Sequence, residues 1–316
     1  MKRWLALGVV LLLTGGAIYI GERRKAEAPV SPGAVLTMAA DVQRSASRVP
    51  AVATRISDAE EIQIGDSMAA RAAMMGMGAS QDPDAVVVEA YIQKIGSHVA
   101  ARAQRKLPYR FHYVAEDGFD NAFALPGGHV FIGKGLLAIM DSEDQLAAVL
   151  GHEIEHIDRR HCVERVQLEA RTRRLPLGVV GALAQIPIEI FQAGYTKNQE
   201  LEADSEGTKL AVRAGYSYQG AVRLFEAMEK HSGKPTPAPE RKSLRREIGK
   251  LAVQTVSGYF QSHPPKAERI RQIRQLAERE GWQARSEKPL PAAIAGRVKP
   301  KPSAKPACGA VELSPA

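Results

Sequence analysis

The chain has 316 residues, a net charge of +8 and two cysteines. That length suits one domain of about 230 residues plus flanking segments, and no internal repeat indicates a repeat architecture. Its basic residues are not interleaved with aromatics, which gives nucleic-acid binding little support.

Met1-Lys2-Arg3 precedes an apolar run from Trp4 to Ile20. Its 17 residues sit at the lower limit for spanning a bilayer, so residues 1–27 read as a secretory signal or short membrane anchor. Glu22-Arg23-Arg24-Lys25 follows at once and is unusual for a cleavage region. Export with an uncleaved anchor is therefore expected, with a cleaved signal and a soluble periplasmic domain as the alternative. No cysteine lies near the run, which excludes lipoprotein processing. Residues 28–54 are rich in Pro, Ser and Ala and read as a linker.

Helices are expected over about 58–78 and 84–104, the second with Val86, Val87, Ala90, Tyr91, Ile95 and Val99 at its apolar positions. Phe111 to Ala115 reads as a strand. A second short strand, His129-Val130-Phe131-Ile132, follows the turn Pro126-Gly127-Gly128.

A third helix is well signed. Ser142 with Gln145 forms a capping box, and Asp141 to Asp144 place negative charge at its start. Leu146, Leu150, Ile154 and Ile157 form its apolar stripe. Within it stands His152-Glu153-Ile154-Glu155-His156. Two imidazoles at i and i+4 lie on one helix face and can reach one metal ion. A carboxylate beside the first can take a proton from a water on that metal, the chemistry of His-Glu-x-x-His zinc hydrolases. The same residues fit the inverted pattern His-x-x-Glu-His, with Glu155 as the base. The helical wheel favours Glu153, which lies beside the stripe, without excluding Glu155. Arg159 and Cys162 stand where the metzincin extension needs Gly and His, so His161 reads as a helix-end residue.

Leu177 to Phe191 is apolar, short and broken by Pro187, and reads as a buried or lid helix over the cleft. Glu200-Leu201-Glu202-Ala203-Asp204 opens a further helix running to about Gly215. Glu200 is the candidate third ligand, with Glu202 as the fallback. Asp204 would hold a ligand histidine in its tautomer. Gly233 to Pro239 reads as a loop and Arg241 to Phe260 as a helix. From residue 284 onward Pro alternates with Lys and Ala, and disorder is expected. That stretch, 284–316, carries half of the net charge. Cys162 and Cys308 leave pairing open, and neither is needed as a ligand.

Taken together, these segments resemble peptidase family M48 in its bacterial envelope form. The likeness runs through Glu61–Gly65, Asn121–Gly128, Gly135–Leu137, Ser142–Ala147, the His-Glu-Ile-Glu-His core, Glu200–Asp204, and Ser262–Pro265 with Glu268–Ile270, over about residues 55–283. The resemblance implies a mainly helical α+β, zincin-like (gluzincin) domain with a small sheet beside the motif helix. It implies one Zn2+ per chain on His152, His156 and Glu200, Glu153 as general base and Asp204 behind a ligand. It also implies that His263 approaches the metal, to hold the oxyanion or to occupy the open position. Gly128, His129, Val130 and Phe131 would form an edge strand that pairs with extended substrate. The implied function is cleavage of unfolded or misassembled cell-envelope proteins by a domain in the periplasm or outside. The rival is an envelope chaperone or scaffold with a plugged or structural zinc site, which would have no need of Glu153.

Overall fold

A computed structural model describes residues 56–78, 80–232 and 266–299. The N-terminal apolar run, the linker, the Gly233–Pro239 loop, the Arg241–Phe260 helix and His263 lie outside the described residues. No described helix is long and apolar enough to cross a membrane.

Local capping explains where the first helices begin. Ser57 and Glu60 form a reciprocal capping box for α1 (Asp58–Met74). Asp82 caps α2 (Pro83–Ala100), whose leading proline needs no backbone donor. Both helices stop short of the expected 78 and 104. After α1, Gly76 adopts φ +85°, a conformation that suits glycine and breaks the helix.

Three strands follow: β1 (Arg110–Val114), β2 (Ala122–Leu125) and β3 (His129–Gly133). Their order is β1-β3-β2, with β3 parallel to β1 and antiparallel to β2. β3 is therefore the central strand, and both its edges are already paired. The expectation that His129–Phe131 offers an edge to substrate is corrected here: among the described residues the outer strands of the sheet are β1 and β2. Periodicity could not reveal this, because all five β3 residues are buried and strand order is set by long-range pairing.

One sheet face packs on α2, where Gly96 leaves room for the Phe111 ring. The other carries stacked rings, His112 on Phe131 (4.5 Å) and Phe131 on Phe123 (4.8 Å). The turn between β2 and β3 is locked onto α1. A Cβ at Gly65 would lie 1.9 Å from the Pro126 carbonyl oxygen. Fully buried Glu61 accepts from the Gly127 N–H (3.2 Å) and pairs with Arg105 (2.5 Å).

After a short α3 (Lys134–Ala138) comes α4 (Glu143–Asp158), the motif helix, with the Ser142–Gln145 capping box in place. Its stripe residues Leu146, Leu150, Ile154 and Ile157 are fully buried. Next come α5 (His161–Thr172), two short helices α6 (Val180–Leu183) and α7 (Glu189–Gln192), then α8 (Lys197–Arg213), α9 (Gln219–Ser232), α10 (Lys266–Arg279) and α11 (Ala292–Val298). The Leu177–Phe191 segment is thus two short helices, not one. It buries Leu183, Ile186, Ile188 and Phe191, and packs on α1, α5 and β2.

The expected disorder from residue 284 is also corrected. Residues 284–299 are ordered against the start of α4. Pro289 bridges to Ser142, the Leu290 N–H donates to the Asp141 carbonyl (2.9 Å), and the Lys288 N–H donates to Asp144 (2.6 Å). Leu290, Ile294 and Val298 are buried at four-residue spacing, and α11 packs on α2 and α3. Proline content masked that apolar repeat.

Candidate metal centre

Two glycines bring the site together. α4 and α8 cross where a Cβ on Gly207 would lie 2.6 Å from the His152 backbone nitrogen, and one on Gly151 would lie 2.5 Å from the Gly207 carbonyl oxygen. Only backbones without side chains can approach this closely. The crossing carries Glu200 and Asp204 of α8 to the histidine face of α4. Thr196 and Gln199 start α8 with another capping box.

His152 Nε2 and His156 Nε2 lie 3.0 Å apart, with the Glu200 carboxylate 3.4 and 3.8 Å from them. One ligand atom from each of the three residues lies within 4.8 Å of the others, and all three residues are buried. The Tyr195 N–H donates to Glu200 (2.9 Å) and fixes that carboxylate, while the Tyr195 ring stacks on His156 at 4.0 Å. His152 Nδ1 faces Asp204 at 2.9 Å. With that ring hydrogen committed, Nε2 presents a lone pair. Two imidazole lone pairs and a carboxylate converging in a buried space need a cation between them. The donor set therefore fits a divalent metal.

A profile of peptidase family M48 matches residues 87–277. The chain belongs to peptidase family M48. Among its relatives, the beta-barrel assembly-enhancing protease of Yersinia pestis is 31% identical over 170 residues, covering 48% of this chain and 34% of the relative. The mitochondrial metalloendopeptidase OMA1 of Schizosaccharomyces pombe is 29% identical over 204 residues, 61% of this chain and 53% of the relative. The metalloprotease LoiP of Escherichia coli is 27% identical over 180 residues, 54% of this chain and 62% of the relative. The chain thus covers about a third of the first and less than two thirds of the others. M48 peptidases are metal-dependent, in keeping with the His152–His156–Glu200 cluster.

Hydrogen bonding, not proton affinity, separates the two candidate bases of this M48 chain. Glu153 is buried, its pKa pushed up to about 7 by desolvation, and its Oε1 has no hydrogen-bond partner among the described residues. Such an orphan needs a water or ligand to satisfy it. Glu155 is also raised to about 7 by burial, but its carboxylate accepts from Arg159 Nε at 3.1 Å, off the metal face. Burial would lower His152, yet Asp204 and Glu200 outweigh it and raise it to about 9. The pocket therefore favours positive charge, which a metal cation supplies.

Glu202, the fallback ligand, stays outside the cluster. It is 43% exposed and pairs with Arg159 at 3.0 Å. His129 also stands apart from the cluster: its Nδ1 meets His112 (2.9 Å) and its Nε2 meets Asp66 (2.8 Å), so it ties β3 to β1 and α1. Gly128 serves the turn, with φ +110° and a Cβ position 2.8 Å from the Pro108 carbonyl oxygen. Val130 and Phe131 are core.

Three residues at the site were given no part in it by the sequence, His161 being read only as a helix-end residue. Arg269 of α10 is fully buried and grips Asp204 through two hydrogen bonds of 2.6 and 2.5 Å. Burial would raise the Asp204 carboxyl, but Arg269 and His152 hold it below the usual range. The Arg269 guanidinium also lies over the Phe225 ring at 4.2 Å. Tyr195 walls the site, its hydroxyl 3.2 Å from Cys162 Sγ. His161 is buried against His156, and desolvation lowers its pKa to about 4, so it is neutral at physiological pH. Arg269 follows the motif helix by more than a hundred residues, and no local period links the two.

Proposed function

We propose that this chain is a zinc-dependent endopeptidase of the cell envelope acting on unfolded or misassembled proteins. The observation that carries this reading is the buried Glu153 carboxylate, whose Oε1 has no partner among the described residues, beside a His-His-Glu donor set. A purely structural metal site needs no such group. The relatives named as a beta-barrel assembly-enhancing protease and a mitochondrial metalloendopeptidase support a polypeptide substrate, and the apolar run from Trp4 to Ile20 supports export.

His152, His156 and Glu200 would hold the zinc. When bound, zinc makes a water more acidic and draws electron density from a substrate carbonyl. Glu153 then accepts the proton of the attacking water and hands it to the departing amine. Asp204, fixed by Arg269, holds His152 in the tautomer that turns Nε2 toward His156 and Glu200. Extended substrate would align along the outer edge of β2, the sheet edge lying against α4, in place of the α7 segment that packs on β2 here. Main-chain pairing there would tolerate many side chains, as a protease of unfolded proteins requires. The N-terminal run would make the membrane contact.

Purified protein incubated with casein or an unfolded envelope protein tests this. Zinc-loaded wild type should cleave, and Glu153→Gln should lose about 10²–10⁴-fold in rate while keeping its metal. Glu155→Gln should retain most activity. Cleavage undiminished in Glu153→Gln would defeat the mechanism, and loss only in Glu155→Gln would install the inverted one.

A further inference from the structure

We infer that His161, backed by Glu202, is the positioning residue for ligand His156, a second arm distinct from Asp204–Arg269. This rests on the metal reading of the site. A histidine that ligates through Nε2 carries its one ring hydrogen on Nδ1, and that hydrogen needs an acceptor to fix the ring. For His152 the acceptor is Asp204. For His156, Nδ1 lies 3.0 Å from His161 Nδ1, while its Nε2 faces His152. His161 therefore accepts at Nδ1 and carries its own hydrogen on Nε2, which faces Glu202 Oε2 at 3.5 Å.

The backbone is shaped for this contact. α4 ends at Asp158, and Arg160 adopts the left-handed conformation (φ 61°, ψ 20°), uncommon for a side-chain-bearing residue. Arg160 is held there by its guanidinium, which donates to the Ile56 carbonyl (2.9 Å) and pairs with Asp58. The reversal sets His161, first residue of α5, beside His156, with ring centroids 5.1 Å apart. Tyr195 packs on both rings, so neither can turn freely. His161 is thus five residues beyond the second motif histidine because the chain must reverse once before it can reach Nδ1. The two arms differ in kind. One ligand is braced by a buried ion pair, the other by an imidazole whose far end meets a half-exposed carboxylate.

The test is zinc affinity, measured by chelator competition on the full chain, with thermal melting of each metal-free protein as a folding control. His161→Phe removes the acceptor and should weaken zinc binding about 10–100-fold. His161→Asn, which can present an oxygen near the Nδ1 position, should restore affinity to near wild type. Glu202→Ala, at a partly exposed site that the fold tolerates, should weaken zinc roughly threefold in wild type and not at all in the His161→Asn background. The inference fails if His161→Phe melts like wild type and binds zinc equally well, or if His161→Asn falls as far as His161→Phe. It also fails if Glu202→Ala acts equally in both backgrounds. Wild type that binds no zinc would overturn the metal reading itself, a separate result.

Discussion

Glu153 and Glu155 sit two positions apart on one helix and meet different surroundings, one with an oxygen unpartnered among the described residues and the other held by Arg159. The wheel could favour the first because Ile154 and Ile157 fix which side of α4 is core. It could not supply Arg269, whose contact with Asp204 depends on a distant helix. Removing that guanidinium leaves a buried carboxylate short of its counter-ion. Arg269→Leu should therefore lower stability by about 3–5 kcal/mol in denaturant melts. A second residue-scale prediction concerns acid. Burial, then His129 and Arg110, hold the His112 pKa at about 4, below its usual 6.5. As pH falls the unfolded chain takes up this proton first. The contribution to stability is whole above pH 6.5 and is lost between 6.5 and 4. At about 1.4 kcal/mol per tenfold difference in proton affinity, His112 accounts for roughly 3 kcal/mol of acid destabilisation. Melting His112→Gln at pH 7.5 and 4.5 should show a narrower gap than wild type.

At the scale of elements, the site is a crossing of α4 and α8, and the crossing depends on Gly151 and Gly207. Gly207→Ala puts a methyl into the His152 backbone. It should cost about 1–3 kcal/mol and weaken metal binding, because Glu200 moves with α8. Calorimetric melting with zinc titration checks both effects together. α4 itself was legible from its cap, its 3.6-residue stripe and its five-residue motif, each a local signal. The placement of β3 was not. His129-Val130-Phe131-Ile132 announces a buried strand, but only long-range pairing makes it central. The substrate edge therefore passes from β3 to β2 in the proposed mechanism.

For the whole molecule, residues 284–299 form part of the domain. Asp144 at the start of α4 accepts from the backbones of both Ser217 and Lys288, joining the chain before α9 and the C-terminal segment to the motif helix. Composition alone pointed the other way, since Ala, Pro and Lys together dominate residues 284–316, while Leu290, Ile294 and Val298 carried the contrary signal at helical spacing. Ile294→Ala should cost about 2 kcal/mol or more, a loss that a disordered tail would not show. Family membership and the metal cluster agree across that same domain, and the central claim is that metal and Glu153 act together in cleaving polypeptide. The most direct measurement adds zinc stepwise to metal-free protein while following cleavage of an unfolded reporter. The rate should rise from baseline, reach its plateau at one zinc per chain, and stay at baseline throughout for Glu153→Gln. A reporter cleaved equally by the metal-free protein, or left intact at every zinc level, would contradict the claim.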